Sequence, residues 1–340
     1  MGTHPDEAAG TRTPIGRLAV GIVVCLLPLV VTLVSPFRAD TALVYVGVLP
    51  ALVALPLGRR VALATAVSTS LGVLIGLLLS GSPGLAALFL AAGGVLVAWS
   101  YTRGWQGAAT YVVTQAALAA VAAPRANLLG GSVDAAGSWA NAAVVSGLTL
   151  AAGLWVAGFG SAVLTGLGGS HEPRPWDGEL TVFAATLAGL LGVATFVIMQ
   201  NTDGGNAWWI LLTILVSLTP TARGSATRAL QRAGGTVLGG AVAAVLVVLV
   251  PSNTVLTVVG GLAAIGSAIA FLKAPYWVFS ASLTLALVLI TFPVGRVLHG
   301  DLQRVGYTVG AAALVIAVTF AVNRGVALVA NRTSGRSGQS

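Results

Sequence analysis

Two arginines lie in a repeated motif of an otherwise apolar chain. Arg232 belongs to the stretch LQRAGGTVLGG and Arg304 to LQRVGYTVGAA, which share the pattern Leu-Gln-Arg-x-Gly-x-Thr-Val. In a helix, positions i, i+4 and i+7 lie on one face, so Arg232 aligns with Thr236 and Gly239, and Arg304 aligns with Thr308. The guanidinium group is always charged and carries a planar fork of N–H donors that matches a carboxylate. The pattern therefore predicts the binding of an anion.

The other ionisable residues do not predict a catalytic or metal site. All nine acidic residues lie outside the long apolar segments or at their edges, so no pair of carboxylates is placed for acid–base work. The three histidines are scattered, the single cysteine, Cys25, is interpreted as a packing residue, and there is no G-x-x-x-x-G-K-[ST] phosphate loop. We therefore expect no enzyme activity, no cofactor and no metal.

The apolar segments that carry the arginines predict an integral membrane protein. The mean hydropathy is +0.95 and only 8% of the residues are charged, whereas about a quarter are charged in soluble proteins. A helix needs roughly 17 to 25 apolar residues to cross a bilayer. The fold class is therefore all-α, a polytopic transmembrane bundle of about 12 helices. We predict spans at 18–35, 42–57, 61–80, 84–102, 106–123, 140–165, 180–200, 207–222, 229–250, 254–272, 275–293 and 305–325.

One polar stretch, SHEPRPWDGE at 170–179, divides these spans six and six. We predict a cytoplasmic N-terminal tail at 1–17, a first six-helix half at 18–168, a cytoplasmic linker at 169–179, a second six-helix half at 180–325 and a cytoplasmic C-terminal tail at 326–340. With both termini in the cytoplasm, thirteen of the seventeen basic residues lie on the cytoplasmic side, as the positive-inside rule requires. The net charge of +8 then follows topology and does not indicate a nucleic-acid partner.

The sequence repeats at two levels. PLGR at 56–59 aligns with PTAR at 220–223 at an offset of 164 residues, and the pairs Tyr111/Tyr276 and Gly72/Gly239 keep nearly the same offset. An offset of six spans gives both halves the same orientation, which predicts a parallel duplication. The arginine motif recurs after three spans, which reverses its orientation and predicts a smaller inverted repeat within the second half.

Glycines accompany the arginines in each copy of the motif. G-x-x-x-G pairs occur at Gly235/Gly239, at Gly306/Gly310 and at Gly72/Gly76, and such pairs let membrane helices approach closely. Two interpretations of the arginines stay open at this stage. They lie at helix ends and extend to the lipid headgroups, or they face a polar cavity between helices, because a charge in contact with hydrocarbon costs several kcal/mol.

Aromatic residues stand at the beginning of two predicted spans. Trp208 and Trp209 begin the eighth span, and Tyr276 and Trp277 begin the eleventh. One interpretation is an interfacial aromatic belt. The other is that some of these rings stack on an aromatic substrate near the arginines.

A longer pattern resembles a known family. The runs LVSLTPTARGSATRALQRAGGTVLGG, KAPYWVFSASLTLALVLI and LQRVGYTVGAA resemble the fusaric acid resistance (FUSC) family, which is related to the aromatic acid exporters and is distantly similar to plant aluminium-activated malate channels. The resemblance covers 207–322, and Arg232, Thr236 and Gly239 fall on its Arg-x-x-x-Thr-x-x-Gly positions. The first half departs from the pattern, since Thr65 and Trp139 stand where the arginines would be duplicated.

The resemblance implies a bacterial inner-membrane protein that exports carboxylated, often aromatic compounds, and the malate channels imply a dimer with an anion path lined by arginines. We therefore expect a transporter-like protein that exports organic anions, with the lipid bilayer and an organic anion as partners. A homodimer or a place as an accessory subunit stays open. The alternative function is a non-transporting scaffold of an envelope complex. The expected substrate-binding residues are Arg232, Thr236, Gly239, Arg304, Thr308 and Tyr276.

Overall fold

A computed structural model describes residues 15–127, 138–164, 172–201, 207–250, 252–291 and 297–336. Within these ranges the regular structure is entirely helical, which confirms the predicted fold class. Residues 1–14 of the predicted N-terminal tail, 165–171 around the start of the linker and 337–340 of the C-terminal tail lie outside the described residues.

The first half contains the helices that correspond to the first six predicted spans. They are α1 (Ile15–Val34), α2 (Thr41–Ala54), α3 (Arg59–Leu79), α4 (Pro83–Ser100), α5 (Gln106–Ala122) and α6 (Trp139–Trp155). The last of them continues through a π-helical turn, Val156–Gly160, into α7 (Ser161–Leu164). One π turn therefore interrupts what the sequence predicts as a single span.

The second half contains six helices that correspond to the other predicted spans. They are α8 (Gly178–Asn201), α9 (Trp208–Ser217), α10 (Ala222–Leu249), α11 (Asn253–Lys273), α12 (Tyr276–Thr291) and α13 (Val297–Arg336). Across the described chain, eight helices are long and apolar enough to cross a membrane, and shorter apolar helices lie at Val20–Val34, Trp208–Ser217 and Tyr276–Ile290. The chain is a multi-pass membrane protein.

The helices that carry the arginine motif begin earlier than predicted. The sequence places the start of the ninth span at 229, whereas α10 begins at Ala222, because the Thr221 hydroxyl accepts a hydrogen bond from the Gly224 N–H and caps the helix. Arg232 therefore lies ten residues into α10, about 15 Å along its axis. Similarly, α13 begins at Val297 and continues to Arg336, beyond the predicted span. The motif is in the interior of both helices and not at their mouths.

Glycine contacts set the close approach of the central helices. A Cβ atom on Gly235 would lie 2.6 Å from the Trp277 carbonyl oxygen, and one on Gly239 would collide with the Ala281 carbonyl. In the first half, a Cβ on Gly76 would lie 2.6 Å from the Ala116 carbonyl oxygen. These contacts confirm the predicted packing role of both pairs, α10 against α12 and α3 against α5.

The third predicted glycine pair makes no close helix contact among the described residues. Gly306 and Gly310 on α13 have no described atom within 4 Å of an added Cβ, and both lie on an exposed face. The prediction that this pair mediates close helix packing is wrong within the described chain. The reason is that α13 turns its arginine and threonine inward, and the glycines two residues further along point to the other side.

Corresponding helices pack in corresponding pairs in the two halves. Helix α3 packs on α5 and α6, and α10 packs on α12 and α13, while α2 contacts α6 and α9 contacts α13. This pattern supports the duplication, and the rotation that relates the halves stays a prediction. The halves join tightly where α4 meets α8, since a Cβ on Gly94 would lie 2.9 Å from the backbone nitrogen of Ala188. The corresponding pair, α1 and α11, borders a cavity.

Candidate anion-binding site

One face of α12 positions both arginines. Ser280 and Thr284 are one turn apart on this helix. Arg232 Nη1 donates to Ser280 Oγ at 3.5 Å, and Ser280 Oγ donates back to the Arg232 carbonyl at 3.2 Å. Arg304 Nη2 donates to Thr284 Oγ1 at 2.9 Å and Nη1 donates to the Thr284 carbonyl at 3.3 Å. The two copies of the motif therefore meet against one helix.

The burial of both arginines decides between the two interpretations of their position. Arg232 and Arg304 are each only 1% exposed, and they are among the largest fully buried side chains of the described residues. An arginine that extends to the headgroups keeps its guanidinium in contact with water. That interpretation is therefore wrong for both residues, and their charges lie inside the protein.

The aromatic residues near the arginines divide into two groups. Trp209 is 6% exposed, and the Arg304 guanidinium carbon lies 4.0 Å from the centroid of a Trp209 ring, a cation–π contact. Trp209 is therefore not part of an interfacial belt. Trp277 is 45% exposed and has the position that a belt residue takes.

Arg232 retains hydrogen-bonding capacity. Its Nε and Nη2 atoms have no hydrogen-bond partner among the described residues, and Arg232 takes part in no described ion pair. The buried hydroxyl groups of Thr236, Thr308 and Tyr276 likewise lack a partner there. Buried polar groups are normally satisfied, and a buried charge without a counter-ion is strongly destabilising. The arrangement has the capacity to hold an anion.

Phenol groups from both halves lie within the electrostatic range of this charge. The charge of Arg232 acts on the hydroxyl groups of Tyr45 from α2, Tyr111 from α5 and Tyr276 from α12. Tyr276 is also contacted from its other side by Arg228, whose guanidinium carbon lies 5.9 Å from the ring centroid. Arg228 is exposed and one turn before Arg232 on α10, so the positive charge continues from the surface to the buried site.

The aromatic rings form a continuous cluster between the halves. Tyr111 lies 6.1 Å from Phe271, Phe271 lies 5.2 Å from Phe279, and Phe279 lies 5.8 Å from Tyr276, measured between ring centroids. Since Tyr111 belongs to the first half and the others to the second, the cluster lies at the contact between the two halves.

The predicted site residues lie on α10, α12 and α13, three helices that contact one another. Gly239 has a packing role there, because it lies against Ala281 and Thr284. The sequence interpretation missed Ser280 and Thr284, and it used Tyr111 only to align the halves. A sequence pattern predicts this polar face of α12. Hydroxyl-bearing residues recur every four positions on an otherwise apolar helix, at Tyr276, Ser280 and Thr284.

The first half has no equivalent charge in its interior among the described residues. Thr65 takes the place of Arg232 and accepts a hydrogen bond at its carbonyl from the Thr69 hydroxyl at 2.7 Å. Trp139 takes the place of Arg304 and is exposed. The described arginines of this half, from Arg38 to Arg125, are all exposed.

The family comparison covers the region that contains the site. Residues 183–320 match the model of the family described as fusaric acid resistance protein-like. Residues 183–320 are therefore similar to this family. The match confirms the resemblance, and the similarity to malate channels stays a prediction. No curated protein and no solved structure matches the chain.

The fusaric acid resistance protein-like region begins within α8 and ends within α13, so it contains both buried arginines and their partners on α12. The family match over residues 183–320 and the apolar helices together indicate a transporter-like role in a membrane.

Proposed function

We propose that the protein exports organic carboxylate anions, including aromatic ones, across the bacterial inner membrane, and that Arg232 binds the carboxylate. The supporting observation is the fully buried Arg232 guanidinium, which has two nitrogen atoms without a partner among the described residues. A carboxylate supplies two charge-assisted acceptors to such a fork. Thr236, Thr308 and Tyr276 complete the site with hydroxyl donors, and Arg304 adds a second positive charge at Thr284, one turn of α12 from Ser280.

The aromatic part of the substrate fits the surroundings of the site. Phe279 and Tyr276 lie on α12 beside Ser280, the contact residue of Arg232. Offset or edge-to-face contact with these rings favours a ring-bearing anion over an aliphatic one of the same charge.

The test uses inverted membrane vesicles that contain the full chain and radiolabelled benzoate. Arg232→Gln should reduce benzoate accumulation by about tenfold or more, because a hydrogen bond to a charged group contributes about 1.5–3 kcal/mol. Arg232→Lys should be nearly as inactive, since it keeps the charge and loses the fork. The matched control is Arg59→Gln, which removes an exposed arginine of the first half.

Two outcomes would reject the proposal. Benzoate export by Arg232→Gln at the parental rate would show that the arginine does not bind the substrate. A correctly folded parent that exports none of a panel of aromatic carboxylates would instead favour the non-transporting scaffold.

We also propose that both termini and the linker lie in the cytoplasm. A reporter fused at Gly178 should therefore read as cytoplasmic, and an external signal would reject this topology.

A further inference from the structure

A cavity of about 630 Å³ lies between α1 and α2 of the first half and α11 and α12 of the second. Cavities of several hundred Å³ are typical of small-molecule sites. Its walls are mainly aliphatic and aromatic, with Leu26, Val48 and Ile265 as representatives, and the exposed Arg38 is also among the residues that line it. Arg232 and Arg304 are not among its lining residues. The cavity is thus an apolar space distinct from the arginine site.

The cavity opens towards the surface that faces lipid. Val30 on α1 and Leu262 on α11 line it and are 50% and 63% exposed. Because both side chains are apolar and accessible, the gap between these two helices leads from hydrocarbon into the cavity. The corresponding pair, α4 and α8, leaves no such gap, since Gly94 contacts the Ala188 backbone there.

The opposite wall of the cavity reaches the arginine site through Tyr45. The side chains of Tyr45, Phe271 and Phe279 line the cavity and belong to the same aromatic cluster that adjoins Arg232. Tyr45 packs in the cluster that contains Phe279, and Phe279 is the neighbour of Ser280, which contacts Arg232. Tyr45 is therefore the residue at which an apolar space meets a buried positive charge.

We propose that this cavity binds an amphipathic anion taken from the bilayer, a single-chain carboxylate whose apolar chain lies between α1 and α11 and whose carboxylate reaches Tyr45 and Arg232. The inference rests on the proposed function and extends it to membrane-dissolved substrates. An anion without an apolar chain would lose its hydration against the aliphatic walls, which offer it no hydrogen bonds. An ordinary bilayer lipid keeps its headgroup at the interface and makes no use of the buried charge.

The chain offers a matched pair of variants for the test. Gly261 and Gly266 both lie on α11, and both have open space where a Cβ would be added. Gly261 lines the cavity and Gly266 does not. Gly261→Phe should therefore fill the cavity, whereas Gly266→Phe places the same side chain on an exposed face of the same helix.

The experiment is photolabelling of the full chain in nanodiscs with a diazirine-bearing dodecanoate, compared with its neutral methyl ester, followed by mapping of the labelled peptides. The carboxylate should label cavity residues of α1 and α11. Gly261→Phe and Arg232→Gln should each reduce that labelling by about tenfold, equivalent to the loss of one charge-assisted hydrogen bond in the case of Arg232. Gly266→Phe should label like the parent.

Equal labelling by the ester and the carboxylate would overturn the inference, because the cavity would then hold any lipid. Unchanged labelling of Gly261→Phe would overturn it as well. The benzoate export assay tests the proposed function separately. If Arg232→Gln abolishes benzoate export while the cavity labels without regard to charge, only the cavity inference fails; if benzoate export is insensitive to Arg232→Gln, the proposed function fails.

Discussion

The two halves pack their helices in the same pairs but treat their buried polar groups differently. In the first half, Ser70 and Ser146 share a hydrogen bond of 2.7 Å between α3 and α6, and Thr69, Thr114 and Thr149 donate to carbonyls of their own helices. The first-half side-chain atoms without a described partner, on Asp40 and Gln106, lie at helix ends. The buried hydroxyl groups of these first-half residues therefore have hydrogen-bond partners within the protein.

The second half leaves polar groups unsatisfied in its interior. Buried hydroxyl groups without a described hydrogen-bond partner are those of Thr195, Thr213, Ser217, Thr236, Tyr276 and Thr308. Together with Arg232 they lie inside the fusaric acid resistance protein-like region. A buried polar group without a hydrogen-bond partner is costly and calls for an explanation. The difference teaches that the two halves share a packing arrangement, but the polar groups of the first half stabilise its structure while those of the second half retain the capacity to bind a ligand.

The largest effect should come from the glycine contacts that both halves share. Gly76→Val and Gly239→Val each force side-chain atoms against a carbonyl of the neighbouring helix, so both variants should lose most of their folded, monodisperse protein in detergent chromatography. Gly310→Val is the control, because no described atom lies within 4 Å of its Cβ. Equal yields for Gly239→Val and Gly310→Val would show that the glycine contact is not needed.

A crossed pair of hydroxyl substitutions should separate the halves. Ser146→Ala should reduce stability by about 1 kcal/mol, because a satisfied hydrogen bond is lost, and it should leave benzoate export unchanged. Thr236→Val should keep the thermal midpoint and reduce export by roughly three- to tenfold, the equivalent of about one hydrogen bond to a substrate. The comparison fails if both variants change the same quantity.

Much of this fold can be predicted from the sequence, and the site only in part. Apolar runs predict the helices because a membrane span must be long and continuous. They do not predict where α10 begins, since the cap at Thr221 precedes the apolar residues. The contacts of Arg304 with Trp209 and Thr284 join residues far apart in the chain, and only the packing of α9, α12 and α13 brings them together.

A smaller effect should come from the exposed end of the arginine series. Arg228→Gln should reduce benzoate export by about two- to threefold at low salt, and the difference should fade at high salt, because an exposed charge is screened within about 10 Å at 0.1 M ionic strength. Arg223→Gln, which removes another exposed arginine of α10, is the control. A salt-independent loss in Arg228→Gln would show that Arg228 acts inside the site.

The smallest effect concerns the linker between the halves. Arg174 binds Asp177 at 2.7 Å and Glu179 at 2.6 Å, and the Arg174 N–H donates to the Tyr101 carbonyl. The hydrogen bond from Arg174 lowers the pKa of the Asp177 carboxyl group. A lowered pKa means that this ion pair stabilises the linker at neutral pH and is lost as the pH falls through the folded-state pKa.

Cleavage of the linker by pepsin should therefore accelerate at a lower pH than the ordinary pKa of aspartate would give. Asp177→Asn should remove this acceleration of cleavage at low pH. Glu172→Gln, at an exposed position of the linker outside the ion pair, should keep the acceleration. An unchanged pH profile in Asp177→Asn would assign the protection to another group.

Helix α13 has a mechanical consequence. Its 40 residues make a rod about 60 Å long, twice the thickness of a bilayer core of about 30 Å. A helix is stiff along its axis, so a pull on the end near Arg336 moves Arg304 by the same distance. A shift of one helical turn, about 5.4 Å, is nearly twice the 2.9 Å length of the hydrogen bond from Arg304 to Thr284, so that bond does not survive it. A force on the C-terminal end of α13 is therefore transmitted to the buried guanidinium of Arg304.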